Sequence, residues 1–151
     1  MMRIWLVSSK VFLLFLFSLA SCADTCKDVV KTVKLYNKAL SEAYRMRDVS
    51  PLKDFAGQRE LKKIMVLIDL KNSNNVVLES EMYYFKTLSC EVQEDTAKVK
   101  TIERWRYYDR PLQPMPFKPK EINAEMQIEY ILKKDSRWKV LEVKGLSHKE
   151  L

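Results

Sequence analysis

The sequence is poor in glycine and histidine, and these shortages exclude several classes of enzyme. Gly57 and Gly145 are the only two glycines in 151 residues. No glycine-rich loop is therefore available to bring backbone amides against a phosphate, which excludes a P-loop and a dinucleotide-binding fingerprint. The single histidine, His148, stands close to the C-terminus. A histidine-based triad or metal cluster would have to be built on a chain end, so we predict no metal site and no cofactor.

The composition is that of one small globular domain. Apolar residues make up 47% of the chain and charged residues 31%, with a formal net charge of +7. This length and apolar content suffice for a single hydrophobic core. We expect a domain over residues 28–145, followed by a C-terminal tail at 146–151.

Residues 1–21 have the order of features expected of a secretory signal peptide. Arg3 and Lys10 precede an apolar run from Val11 to Phe17, and small residues follow. The run after Lys10 is about ten residues long, well short of the roughly 20 that cross a bilayer. A permanent membrane helix is the alternative interpretation.

The last residues of this segment, Leu19-Ala20-Ser21-Cys22, resemble the lipobox of bacterial lipoproteins. In that motif the cysteine is acylated on sulfur and becomes the new N-terminus. The resemblance implies a lipid anchor on Cys22, a linker over 22–27, and a periplasm-facing position in the bacterial cell envelope. Ordinary cleavage after Ala23, which would give a soluble periplasmic or secreted protein, is the alternative.

Either cleavage leaves two cysteines, Cys26 and Cys90, in the mature chain. An even pair in an oxidising compartment predicts a disulfide, which would stabilise the fold by roughly 4 kcal/mol in the chain-entropy model. Two unpaired buried thiols are the alternative.

Three helices are predicted before residue 75. An apolar stripe at steps of three and four predicts a long helix over 27–47: Val29, Val33, Tyr36, Leu40 and Ala43. Ser50 as N-cap and Pro51 as first residue predict a short second helix. A third helix is marked by Leu61, Ile64, Met65 and Ile68.

After Asn75 the hydrophobic period changes from 3.6 to 2, which predicts four strands. They cover about 76–92, 96–108, 122–133 and 137–144. The segment 109–120 contains four of the five prolines and is predicted to be a loop. Its apolar residues Leu112, Met115 and Phe117 suit either a partner contact or a lid over a cavity.

The order of elements, with Ala97-x-Val99-x-x-x-Glu103-x-Trp105 and Arg137-Trp138-Lys139-Val140, resembles the nuclear transport factor 2-like superfamily. The resemblance covers roughly residues 28–145. It implies an α+β fold in which three N-terminal helices pack on a curved four-stranded antiparallel sheet, cone-shaped and cystatin-like, around a cavity. Its members include isomerases, dehydratases, envelope proteins and binding domains, so the fold alone does not choose a function.

Glu103 is the candidate catalytic residue, because alternation places it on the interior face of the second strand. In the ketosteroid isomerase branch of the superfamily a pocket carboxylate is the base and a tyrosine holds the oxyanion. The alternative, which we favour, is that Glu103 accepts hydrogen bonds and fixes the sheet on the helices. No second buried acid is predicted. The residues expected to line the cavity are Tyr36, Tyr44, Glu103, Trp105, Tyr107, Met126 and Tyr130.

Two rows of cations are also present. Lys98, Lys100, Arg104 and Arg106 share the outer face of the second strand, where we expect ion pairs with Glu79, Glu81, Glu125 and Glu129 rather than nucleic acid. Lys27, Lys31, Lys34 and Lys38 follow one face of the first helix. A lipid on Cys22 would hold that row near anionic headgroups, at up to about 1 kcal/mol per cation.

These patterns favour a non-enzymatic, lipid-anchored envelope protein that binds a small apolar ligand or a protein partner. One alternative is a cofactor-free isomerase, dehydratase or hydrolase with Glu103 as general base. Another is a structural component of an envelope or secretion assembly, with a homodimer formed through the open sheet face.

Overall fold

The computed structural model describes the backbone of residues 11–151 and the side chains from Thr25 onward. The predicted signal peptide therefore lies partly, and the Cys22 side chain wholly, outside what the structure describes. The elements are α1 (Val11–Met46), a one-turn 3-10 helix (Ser50–Leu52), α2 (Gln58–Ser73), β1 (Val76–Gln93), β2 (Thr96–Pro111), β3 (Ile122–Lys134) and β4 (Trp138–Glu150). Within the described residues, no helix combines the length and apolarity needed to cross a bilayer.

The prediction of three N-terminal helices is wrong: two α-helices pack on the sheet. The expected second helix is a single 3-10 turn, because Asp48 Oδ1 accepts hydrogen bonds from the Ser50 amide and hydroxyl at 3.0 and 2.8 Å. The chain continues in turns over residues 53–55 and then reaches β4, where the Gly57 amide donates to the Val140 carbonyl at 2.8 Å. The five residues between Pro51 and Gly57 are too few for a helix that must also reach β4. In addition, α1 is continuous through the predicted linker at 22–27.

The four strands form one antiparallel sheet in chain order, β1-β2-β3-β4. Irregularities in β1 between Met82 and Tyr84 and between Thr87 and Ser89 allow this strand to bend. The predicted C-terminal tail at 146–151 instead continues β4, which pairs as far as Glu150 opposite Ala124. Residues 145–150 are exposed, so they carry no hydrophobic alternation by which a strand could be predicted.

The helices cover one face of the sheet, and the hydrophobic core lies between the two layers. Val29, Val33 and Ala43 of α1 are fully buried against Val99 and Leu132 of the sheet. This interior face of β2 is the face that alternation predicts. The core therefore consists of the α1 stripe and the inward positions of the strands.

α1 runs along β1 in the opposite direction. A disulfide joins Cys26 to Cys90, with the two Cα atoms 6.1 Å apart, and further along α1 the Ser41 and Ser80 hydroxyls lie 3.1 Å apart. The end of the sheet that carries Cys90 and the β1–β2 turn is called here the disulfide end. The opposite end, where residues 112–121 join β2 to β3, is called the loop end.

The outer face of the sheet carries the ion pairs predicted for Lys100, Arg104 and Arg106, none for Lys98 among the described residues, and one at Arg110 that was not predicted. Arg104 pairs with Glu125, Arg106 with Glu81 and Arg110 with Glu79, each at 2.9 Å, and Lys100 lies 3.8 Å from Glu129. Arg104 also stacks over the Tyr84 ring at 4.9 Å. These cations are held by neighbouring carboxylates and by an aromatic ring of the same sheet.

Candidate functional site

Glu103 is fully buried and accepts four hydrogen bonds from the side chains around it. The Tyr130 hydroxyl donates to Oε1 at 2.6 Å and the Thr101 hydroxyl at 2.9 Å. The Asn37 amide reaches the same oxygen at 3.3 Å, and the Trp105 indole N–H donates to Oε2 at 2.7 Å. No cation contacts this carboxylate among the residues that the structure describes.

The local sequence explains how these donors meet. Thr101, Glu103 and Trp105 alternate along β2, so all three side chains point to the helical layer. Tyr130 lies on the neighbouring strand β3. Asn37 lies on α1, and its side chain is buried, with 2% of the residue exposed. Two strands and one helix thus converge on one carboxylate.

A second buried acid, Glu60, was not predicted and corrects the expectation that none exists. It is 4% exposed, accepts a hydrogen bond from the Tyr36 hydroxyl at 3.0 Å, and forms an ion pair with Lys63 at 3.3 Å. Glu60 immediately precedes Leu61 and stands four residues before Ile64, so it shares the buried face of α2. That spacing is the signal by which it could have been found.

The two tyrosine–carboxylate pairs are neighbours. The Tyr36 and Tyr130 rings meet edge to face with their centroids 6.1 Å apart. Burial raises the pKa of the Tyr130 hydroxyl well above its usual value, and the Glu103 carboxylate raises it further. Burial and Glu60 do the same to the pKa of Tyr36, while the pKa of Tyr44 rises to about 12. These hydroxyls therefore remain neutral donors at physiological pH.

Above this polar network lies an open cavity of about 270 Å³. Six of the seven predicted pocket residues border it: Tyr36, Tyr44, Trp105, Tyr107, Met126 and Tyr130. The other lining residues are Asn37, Leu40, Leu78, Ser80, Ile128 and Val143. Glu103, the seventh, lies beneath the cavity floor and does not line it. The walls are almost wholly apolar or aromatic.

This geometry limits the chemistry that the site can perform through Glu103. A general base must reach the proton that it removes, within hydrogen-bond distance or through one water. Glu103 is separated from the cavity by the side chains that donate to it, three of them on one oxygen. Among the described residues, no group of three or more potential metal ligands is present. The arrangement favours binding of an apolar group over proton transfer by Glu103.

Comparison with known proteins supports the fold alone. No family model matches the chain, and no curated protein matches its sequence. Among solved structures, the chain is similar to the crystal structure of the intermembrane space region of the chloroplast protein ARC6, with a TM-score of 0.70 and 17% identity. The similarity covers 81% of this chain and 96% of that one. It shows that the two chains share their arrangement of helices and strands.

Proposed function

We propose that the protein is a non-catalytic binding domain of the cell envelope and that its aromatic cavity receives a small apolar molecule. The observation that carries this proposal is the combination of an apolar cavity with a floor whose polar groups are already bonded to one another. Ligand pockets are typically apolar with a few polar groups that fix orientation. At about 270 Å³ this cavity is slightly smaller than the usual range of roughly 300–1,000 Å³, so the ligand is small.

The polar floor has a structural purpose in this proposal. Tyr130, Thr101, Asn37 and Trp105 direct their donors to Glu103. An apolar ligand above them therefore leaves no buried donor without an acceptor, which would otherwise cost about 1–3 kcal/mol per group.

Binding is tested with the neutral fluorescent probe N-phenyl-1-naphthylamine. Leu40 lines the cavity from α1, so Leu40→Trp fills part of it. Leu35 lies on the same helix, is 39% exposed and lines no part of the cavity, so Leu35→Trp is the matched control. We expect saturable binding with one probe per protein, weakened at least about tenfold by Leu40→Trp because overpacking excludes the ligand, and unchanged by Leu35→Trp. Equal binding by both variants, or no saturable binding, contradicts the proposal.

The envelope location is proposed from the N-terminal segment and from the fold. The order of a charged start, an apolar run and Leu19-Ala20-Ser21-Cys22 supports export and acylation of Cys22. The structural similarity to a region of ARC6 that lies in the intermembrane space is compatible with an envelope protein. We propose that the mature chain begins at Cys22 and is anchored there.

Intact-mass spectrometry of the natively expressed protein tests this processing. We expect a chain that begins at Cys22 and carries a diacylglycerol increment, which Cys22→Ser removes. A chain that begins at Asp24 would show cleavage after Ala23 and a soluble protein. A chain that retains its initiator methionine would contradict export.

A further inference from the structure

We propose that the α1 face at the disulfide end is a docking surface for an anionic lipid bilayer. The surface consists of the lysine row, Lys27, Lys31, Lys34 and Lys38, together with the groove that lies between α1 and β1 beside the disulfide. This inference rests on a part of the molecule other than the aromatic cavity and does not require that cavity to bind a ligand.

The lysine row forms one continuous face of α1. The four side chains recur at steps of four, three and four residues, so they lie along one face over about 16 Å of helix. All four are exposed, and none forms an ion pair with any side chain that the structure describes. The cations of the outer sheet face differ, because Arg104, Arg106 and Arg110 are each held 2.9 Å from a carboxylate. No ion pair therefore neutralises the lysine row among the described residues, although Lys34 lies over the Phe85 ring, and Lys34 and Lys38 share a neighbouring pocket with Glu42, Glu79 and Glu81.

The groove gives this charge a neighbouring apolar surface. It has a volume of about 520 Å³ and is lined by Cys26, Lys27, Val30, Lys31, Lys34, Thr87 and Cys90. Among these lining residues three are lysines and none is acidic. The disulfide and Val30 supply the apolar part, and the Phe85 ring lies 5.1 Å from the Lys34 ammonium group. Anionic headgroups are complementary in charge to the lysines. The glycerol and upper acyl region of a lipid are apolar enough to occupy the groove between α1 and β1.

Charge complementarity selects a bilayer surface as the occupant. A row of cations about 16 Å long spans several headgroups, whereas a single small anion would engage only two or three of them. Each cation held near an anionic membrane strengthens partitioning by on the order of fivefold. Four of them therefore produce a preference for anionic over zwitterionic membranes that is easily measured and decreases with salt.

Vesicle sedimentation of the full chain tests the lysine row. Binding to vesicles of phosphatidylglycerol and phosphatidylcholine is compared with binding to vesicles of phosphatidylcholine alone. The contribution of the N-terminal apolar segment, which all variants share, then cancels from the ratio of the two affinities. We expect K27Q/K31Q/K34Q/K38Q to reduce the preference for anionic vesicles at least about tenfold. The matched control K98Q/K133Q/K144Q/K149Q removes four exposed sheet lysines and should reduce it less than about threefold. An equal loss in both variants, or no loss in the first, overturns the proposal.

A second pair of variants, which have the same net charge as each other, tests the groove. Thr87→Glu places a carboxylate in the groove lining, whereas Leu88→Glu adds the same charge at an adjacent, exposed residue outside that lining. Only Thr87→Glu should weaken binding to anionic vesicles. Acetylation of the wild-type protein, read by mass spectrometry, should also show Lys27, Lys31 and Lys34 protected by these vesicles. Uniform protection of all lysines, or equal effects of the two variants, would show a response to net charge and overturn the proposal.

Discussion

At the scale of single residues, Glu103 is a carboxylate that is removed from water and held by donors instead of by a cation. Buried charges normally require a partner, and here four neutral donors replace it. Burial of such a group without partners lowers the stability of the fold, and the group stabilises the fold only when every donor is in position. We infer that Glu103 fixes the relative positions of β2, β3 and α1.

Glu103→Gln tests this structural role. The new amide NH₂ group faces an N–H donor whichever way it is turned, the Trp105 indole at the position of Oε2 or the Asn37 amide at the position of Oε1. We expect a loss of about 2–4 kcal/mol in the free energy of unfolding, measured by chemical denaturation. Glu125→Gln, which removes an ion pair on the outer face, should cost less than about 1 kcal/mol. Equal effects of the two substitutions would refute a special role for Glu103.

The buried tyrosines predict a loss of stability in alkaline solution. The pKa of Tyr44 is raised from 10.0 to about 12, and burial and the neighbouring carboxylates also raise the pKa values of Tyr36 and Tyr130 well above 10.0. Above pH 10 the unfolded chain releases tyrosine protons that the folded chain retains, so the free energy of unfolding falls as the pH rises. Tyr44→Phe should make this fall shallower, whereas Tyr83→Phe, at a 45% exposed position, should not. Identical slopes for the two variants would contradict the assignment.

The residues of the network differ in how readily the sequence reveals them. Glu103, Trp105 and Tyr130 stand at inward positions of strands, where a period of two decides the face. Glu60 is in step with Ile64 on α2, so its spacing allows burial without requiring it, and Asn37 lies at the edge of the apolar stripe of α1. Whether a polar residue at that edge is buried depends on the neighbouring layer, which a single sequence does not specify.

At the scale of secondary-structure elements, the disulfide is the covalent connection between α1 and the sheet. It joins residues separated by 64 positions in the sequence, so it restricts the unfolded chain strongly. It also fixes the middle part of α1, which carries Lys27 and Lys31, to β1. The groove proposed to face lipid is thus held together by a bond as well as by packing.

Removal of this bond should reduce stability without changing the fold. Cys26→Ser/Cys90→Ser is expected to lower the free energy of unfolding by about 4 kcal/mol, because the unfolded chain regains loop entropy. Dithiothreitol should lower the stability of the wild-type protein to that of the variant and leave the variant unchanged. A wild-type protein that is insensitive to the reductant would show that the two thiols are unpaired in solution.

The strands were predicted more accurately than the helices, for physical reasons. β1 to β3 alternate strongly because one face is buried and the other is solvated. The prediction of a helix after Ser50 was wrong because Asp48 and Pro51 are as typical of the start of a turn as of the start of a helix. The far end of β4 is exposed, so only its hydrogen bonds to β3 define it.

At the scale of the whole molecule, the two proposed binding surfaces use opposite faces of α1, because the lysines are exposed to solvent and the cavity residues face the sheet. The lysine row and its groove begin at the disulfide end, whereas the aromatic cavity is bordered by Leu40 and Tyr44 toward the loop end. If Cys22 anchors the chain, the anchor and the lysines lie on the membrane side.

This separation predicts that membrane binding and cavity binding are independent. The four lysines are exposed on one side of α1, whereas Leu40 lines the cavity on the other side, so the two sets of substitutions change different contacts and should act nearly additively. K27Q/K31Q/K34Q/K38Q should therefore lose the preference for anionic vesicles and bind N-phenyl-1-naphthylamine like the wild-type protein, while Leu40→Trp should do the reverse. Their combination should show the sum of the two effects in the same assays. A lysine variant that also loses probe binding would mean that α1 shifts as a rigid body and couples the two sites, because both surfaces share that helix as a wall.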